Sequence, residues 1–208
     1  MHVYQMRFIV ALCASAGLAS AAAAQTTVSL GGGWEAVIPD PAASIGALGV
    51  IAGDVHCTKT ATFGTDPFTG QPYPVSIQFR QVLPDALTSS RIIIDQEFLT
   101  NLSGMDWTAF RMELVPTAFV EFDATNLPTN FGPFATVSRP TTHTLLFGGG
   151  GTVANGSQWF PQNIVINIDL ASSDAPIIFQ LKEIPLVPGP GPAALMGVGG
   201  LLLTRRRR

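Results

Sequence analysis

Ile164-Val165-Ile166-Asn167-Ile168-Asp169-Leu170 sets Ile164, Ile166, Ile168 and Leu170 on one side of the chain and Val165, Asn167 and Asp169 on the other. A two-residue repeat marks a β-strand with one dry and one wet face. The pattern recurs on both sides of this stretch. Ile177, Phe179 and Leu181 alternate with Gln180 and Lys182, and Val75, Ile77 and Phe79 alternate with Ser76, Gln78 and Arg80. Phe110, Met112 and Leu114 alternate with Arg111 and Glu113, and Val120 and Phe122 with Glu121 and Asp123. Many half-buried strands without intervening helical periods predict an all-β fold, two antiparallel sheets packed face to face in a jelly-roll-like sandwich. Turn chemistry separates the strands: Asp66-Pro67, Thr69-Gly70, residues 130–133, the glycine run 148–151 and Asn155-Gly156, the last a hairpin signal. The small apolar residues of 40–53 fit a short helix.

The two ends read differently from this body. Arg7, the apolar stretch Phe8 to Leu18, and Ala22-Ala23-Ala24 before Gln25 have the order of a secretory signal, so residues 1–24 are expected to be removed by signal peptidase. Cys13 leaves with that segment, and Cys57 is then the only thiol, so no intrachain disulfide is expected. At the other end, Pro188-Gly189-Pro190-Gly191-Pro192 precedes an apolar segment from Ala193 to Thr204 and then Arg205, Arg206, Arg207 and Arg208. As a helix that segment would be roughly 18 Å long at about 1.5 Å per residue, against a bilayer core about 30 Å thick. Such a short transmembrane helix suits a temporary anchor, with the arginines held on the cytoplasmic side and the body outside. An ordinary C-terminal anchor or a basic disordered tail is the alternative.

The chain has 11 basic and 14 acidic side chains; Arg7 and the four terminal arginines lie in the two end segments, leaving residues 25–186 with six basic against 14 acidic, a net charge near −8. A body of that sign repels phosphate backbones, which argues against nucleic-acid binding. Residues 25–186 form one expected domain and 187–208 a separate tail.

Val187-Pro188-Gly189-Pro190, the apolar run and the terminal arginines resemble the PEP-CTERM sorting signal, with Gly189 at the position usually held by glutamate. The resemblance implies an exported bacterial protein held transiently in the inner membrane and processed by an exosortase-like membrane protease. Asn101-Leu102-Ser103-Gly104-Met105-Asp106-Trp107 leading into Phe110, Met112 and Leu114 is similar to a segment recurring in such proteins, with Ser103 for the more usual threonine. It reads as a turn feeding a strand, with Trp107 covering an end of the sandwich, and secondarily as a ligand platform.

Several residues invite chemistry. Asp95 and Glu97, and likewise Glu121 and Asp123, stand two apart and are expected to share a strand face, where a pair could exchange protons or bind Ca²⁺ through oxygen. The plainer reading is a solvated acidic face. Asp54, His56 and Cys57 with His143 include transition-metal ligand types, against the plainer reading of a buried cysteine beside a half-exposed histidine. No Gly-x-Ser-x-Gly, His-Glu-x-x-His or Cys-x-x-Cys motif occurs, and the run 148–151 lacks the residues of a phosphate cradle, leaving it a flexible loop. Asn101-Leu102-Ser103 and Asn155-Gly156-Ser157 match the glycosylation acceptor by coincidence. If exposed, Trp107, Trp159 and Tyr73, with Trp34, could stack on sugar rings, against the plainer reading of tryptophans packed in the core. The expected function is thus a non-enzymatic envelope or matrix protein needing no cofactor, with an exopolysaccharide-binding module as the alternative and a strand-carboxylate hydrolase or lyase as a third reading.

Overall fold

The computed structural model describes residues 25–39, 41–129, 132–173 and 175–188. Thirteen strands make up the described chain: β1 (Thr26–Gly31), β2 (Trp34–Ile38), β3 (Ala43–Ile51), β4 (Asp54–Phe63), β5 (Val75–Gln81), β6 (Arg91–Asn101), β7 (Ala109–Val115), β8 (Val120–Phe122), β9 (Thr136–Thr141), β10 (Thr144–Gly148), β11 (Gln158–Trp159), β12 (Gln162–Ile168) and β13 (Ile178–Leu186). The only helical turn among them is the single 3-10 turn Asp85–Leu87.

Seven strands form one sheet in the order β1-β2-β5-β13-β7-β10-β9, and the others a second sheet in the order β3-β4-β6-β12-β8, with β11 paired to β6. The expected inward faces are present: Phe179 and Leu181 of β13, Phe110, Met112 and Leu114 of β7, and Ile164, Ile166 and Ile168 of β12 lie buried in one shared apolar core, although Val165, expected on the wet face, is buried as well and β12 ends before Leu170. Burial of these inward faces holds the sheets together, since the hydrophobic gain scales with apolar area removed from water. Cys57, the one free cysteine among the described residues, is part of that core.

Several expectations need correction. The sheets are not wholly antiparallel, because β4 and β6 pair in parallel. The intervening β5 lies in the opposite sheet, so the chain returns to β4's side in its original direction. Residues 43–51 form an edge strand rather than a helix, mostly exposed and irregular between Ala47 and Gly49. Main-chain bonds to β4 outweigh the weak helical preference of so glycine-rich a segment.

Asn155-Gly156 does make a tight turn, with the Ser157 amide donating to the Ala154 carbonyl. It joins no hairpin, however: Val153 bridges Trp107 whereas β11 pairs with β6. Asp66 nucleates a reversal as expected, its Oδ1 accepting from the amides of Phe68 and Thr69 at 2.8 and 3.3 Å. The loop at 148–151 lies close to its neighbour at Gly151, where φ is +71° and a Cβ would lie 1.9 Å from the Pro133 carbonyl oxygen, while Gly150 faces open space. Residues 130 and 131 of the predicted reversal, and the leader 1–24, lie outside the described residues, as do Gly189, Pro190, the apolar tail and Arg205, Arg206, Arg207 and Arg208.

Candidate functional site

The tryptophans do not form a sugar-binding platform. Trp34 and Trp107 are 0% exposed and Trp159 1%. Trp159 meets Phe110, Phe134 and Phe147 edge-on at 5.2, 4.9 and 4.8 Å, and Trp107 meets Phe63 at 5.0 Å. The large apolar surface of an indole gains more in such a cluster than at the surface. The Asn101–Trp107 segment is a folding element: Asn101 Nδ2 donates to the carbonyls of Met105 and Val153, Asn101 Oδ1 accepts from Ser103, and Trp107 Nε1 donates to Ser103 Oγ. Buried with all its bonds made, Asn101 offers no acceptor for a glycan.

Tyr73 alone of the proposed platform is exposed, at 52%. It stands between two shallow clefts. One, about 450 Å³, is lined also by Pro39, Pro41, Pro74 and Ser76; the other, about 490 Å³, adds Asp66, Val115, Gln180 and Lys182. The Phe68 amide holds the Asp66 carboxyl below its ordinary range. An aromatic face beside a carboxylate, an amide and an ammonium group is a hydrogen-bonding environment that a hydroxylated ring could use.

A β-bulge separates Asp95 from Glu97. Cys57 of β4 faces Ile94 and Thr58 faces Gln96, so Asp95 is the extra residue and the inward phase passes from Ile94 to Glu97. Asp95 consequently faces outward to His56 Nδ1 at 2.9 and 3.0 Å, while Glu97 enters the core. Glu121 and Asp123 also part company. Glu121 is exposed on β8, whereas Asp123, past the strand end, accepts from the Thr125 hydroxyl and amide and from the Asn126 amide. Those bonds hold its carboxyl well below the ordinary range despite partial burial.

The metal-ligand set is dispersed by the strand period. His56 points out with Asp95, and Cys57 points in, where burial pushes its thiol up to about 12. Asp54 pairs with Arg91, and His143 sits in the β9–β10 turn beside Thr142. His143 instead joins Glu121, Asn167 and Asp169 around an open cleft of about 400 Å³, with Phe119 at φ 66° on its wall.

The arrangement that sequence reading missed lies at the middle of the sandwich. Lys59 on β4 and Glu97 on β6, register partners in the smaller sheet, face Glu183 of β13 across the core. Lys59 Nζ donates to Glu97 Oε1 at 2.6 Å and to Glu183 Oε2, and all three side chains are 0% exposed. Burial and the neighbouring Glu97 push the Glu183 carboxyl well above its ordinary range. Burial alone would lower the Lys59 ammonium, but Glu183 and Glu97 outweigh it and raise it. The signal was present in the alternation: Lys59 continues the inward series Val55, Cys57, and Glu183 the series Phe179, Leu181.

Comparison with known proteins returns no family model, no curated protein and no solved structure that matches this chain.

Proposed function

We propose that this is an exported, envelope-associated structural protein without enzymatic activity, retained transiently by a PEP-CTERM-type tail. Signal peptidase removes residues 1–24, Ala193 to Thr204 enters the inner membrane as a short helix, and an exosortase-like protease acts on the tail beginning at Val187. The body is a jelly-roll-like sandwich whose chain repeatedly changes sheet, with the parallel β4–β6 pair as its departure from that pattern. One observation supports the reading most: the last described strand ends where the tail begins. β13 lies inside its sheet between β5 and β7 and ends at Leu186, whose carbonyl accepts from the Thr108 amide at 2.9 Å. Val187 packs on the core and Pro188 is exposed, so scission beyond Pro188 would leave every described strand intact. Intact-mass analysis of protein recovered from its native cells and medium tests this. Termini at Gln25 and just beyond Pro188 are expected, and an unprocessed cytoplasmic chain would overturn it.

A second reading, binding of exopolysaccharide, rests on the exposure of Tyr73 between its two clefts. Retention on immobilised polysaccharide should then vanish on Tyr73→Ala with the fold unchanged; retention equal to that of the parent chain removes the reading.

A further inference from the structure

The buried triad holds more reactivity than an ion pair needs. An ammonium and two carboxyl groups meet with no solvent access, and Glu97 Oε2 and Glu183 Oε1 have no hydrogen-bond partner while both acids are ionised. Two carboxylates against one ammonium would also leave a net negative charge in an apolar core, which is costly. One further proton resolves the charge imbalance: carried on Glu183, it makes the triad neutral and gives Glu183 a donor to offer its neighbour Glu97. The raised position of Glu183 agrees with this state.

In that state the Lys59 ammonium touches both a carboxylate that can serve as its base and a neutral carboxylic acid. We propose that Lys59 and Glu183 condense within the folded chain to an isopeptide bond joining the two sheets, with Glu97 as the proton acceptor. Glu97 takes one proton from the Lys59 ammonium. The free amine attacks Glu183 Cδ, forming the C–N bond and a tetrahedral centre. A second nitrogen proton passes through Glu97 to the Glu183 hydroxyl, the C–O bond breaks and one water leaves. The products are a neutral amide, one water and Glu97 as a neutral acid, so protons and charge balance and no oxidant or external reagent is required.

The fold supplies what this reaction lacks in water. Lys59 and Glu97 are held in register on neighbouring strands, and Glu183 is fixed opposite them by β5 and β7. Such placement converts a bimolecular encounter into an intramolecular one, with effective concentrations on the order of 10⁵ M or more for well-oriented groups. A dry core also favours the neutral products over buried charges. The bond would close a loop between residues 124 apart in a body whose only described cysteine is unpaired, constraining the unfolded chain as a disulfide does. This inference concerns the core alone and does not depend on the tail or its processing.

The test is denaturing mass spectrometry of the purified full chain, followed by proteolysis and sequencing of linked peptides. The folded wild type should weigh one water less than the same chain unlinked, with a peptide containing Lys59 joined to one containing Glu183. Lys59→Met should have its full sequence mass. Glu97→Gln, with its fold checked by near-ultraviolet circular dichroism, should remain unlinked or link far more slowly. A folded wild type at full mass with no linked peptide after prolonged incubation overturns the proposal, whatever the variants do. Linkage of Glu97→Gln at the wild-type rate overturns the role given to Glu97.

Discussion

β4 and β6 carry two acid–base contacts within a few residues of each other, and they differ in nearly every physical respect. On the outer face, His56 meets Asp95 with side chains 17% and 32% exposed. On the inner face, Lys59 meets Glu97 at zero exposure, and a third group arrives from the other sheet. A single extra residue separates the two situations, since the bulge at Asp95 turns the next acid inward. The strand pair shows that the worth of a charged contact is set by the solvent it excludes rather than by the identity of its partners.

Reactivity gives the largest expected contrast between the two faces. Cys57, inward beside Lys59, has its thiol pushed from 9.0 to about 12, chiefly by burial. At neutral pH its thiolate fraction is then about a thousandfold below that of a free cysteine. Alkylation followed by mass spectrometry should proceed only as the protein unfolds; rapid labelling of the folded chain would place Cys57 in a wet environment.

Stability gives the next contrast. Measured against wild-type chain that is not yet linked, Lys59→Ala leaves two carboxyl groups buried without their cation and should cost about 3–5 kcal/mol in denaturant unfolding. Asp95→Asn on the outer face should cost less than about 1 kcal/mol. Equal losses would erase the distinction between the faces. Trp159→Ala, which empties the aromatic end of the core, should cost about 3–5 kcal/mol, whereas Tyr73→Ala should stay within about 0.5 kcal/mol.

Asp123 tests an intermediate environment. Asp123→Ala removes the acceptor for Thr125 and Asn126 and should cost about 2 kcal/mol. Its carboxyl is depressed in the folded state relative to 3.8 for the ordinary group. The stabilisation it supplies is therefore complete above the unfolded value and is lost as pH falls below 3.8 toward the folded one. Wild-type stability should drop over that acidic range more steeply than that of Asp123→Asn; parallel curves would show that Asp123 is not the group responsible. The smallest effect expected is that of salt on the Asp95→Asn difference, which should shrink further at high ionic strength.

Much of the architecture was legible in the chain. Ile164, Ile166 and Ile168, or Phe110, Met112 and Leu114, announce an inward face because side chains alternate at every residue of a strand, and no distant information is needed to see it. The Asn101–Trp107 turn was legible for a similar local reason. The site was not. Asp95 and Glu97 look like one face because a bulge leaves no mark in the spacing, and the spacing of Trp107 and Trp159 does not decide between core and platform because an indole's fate depends on which aromatic rings close over it. Lys59 and Glu183 each look like one stray charge in an apolar series until both are brought together.

The chain on its own determined strand character, the dry and wet phase of its clearest strands and the acidity of the body. Tertiary structure alone decided that β4 runs parallel to β6, that the tryptophans fill the core, and that Lys59, Glu97 and Glu183 meet. The reason is one of range. Alternation and turn chemistry act between residues a few positions apart, whereas the partners of a buried group are chosen only when two sheets close on each other and water is expelled between them.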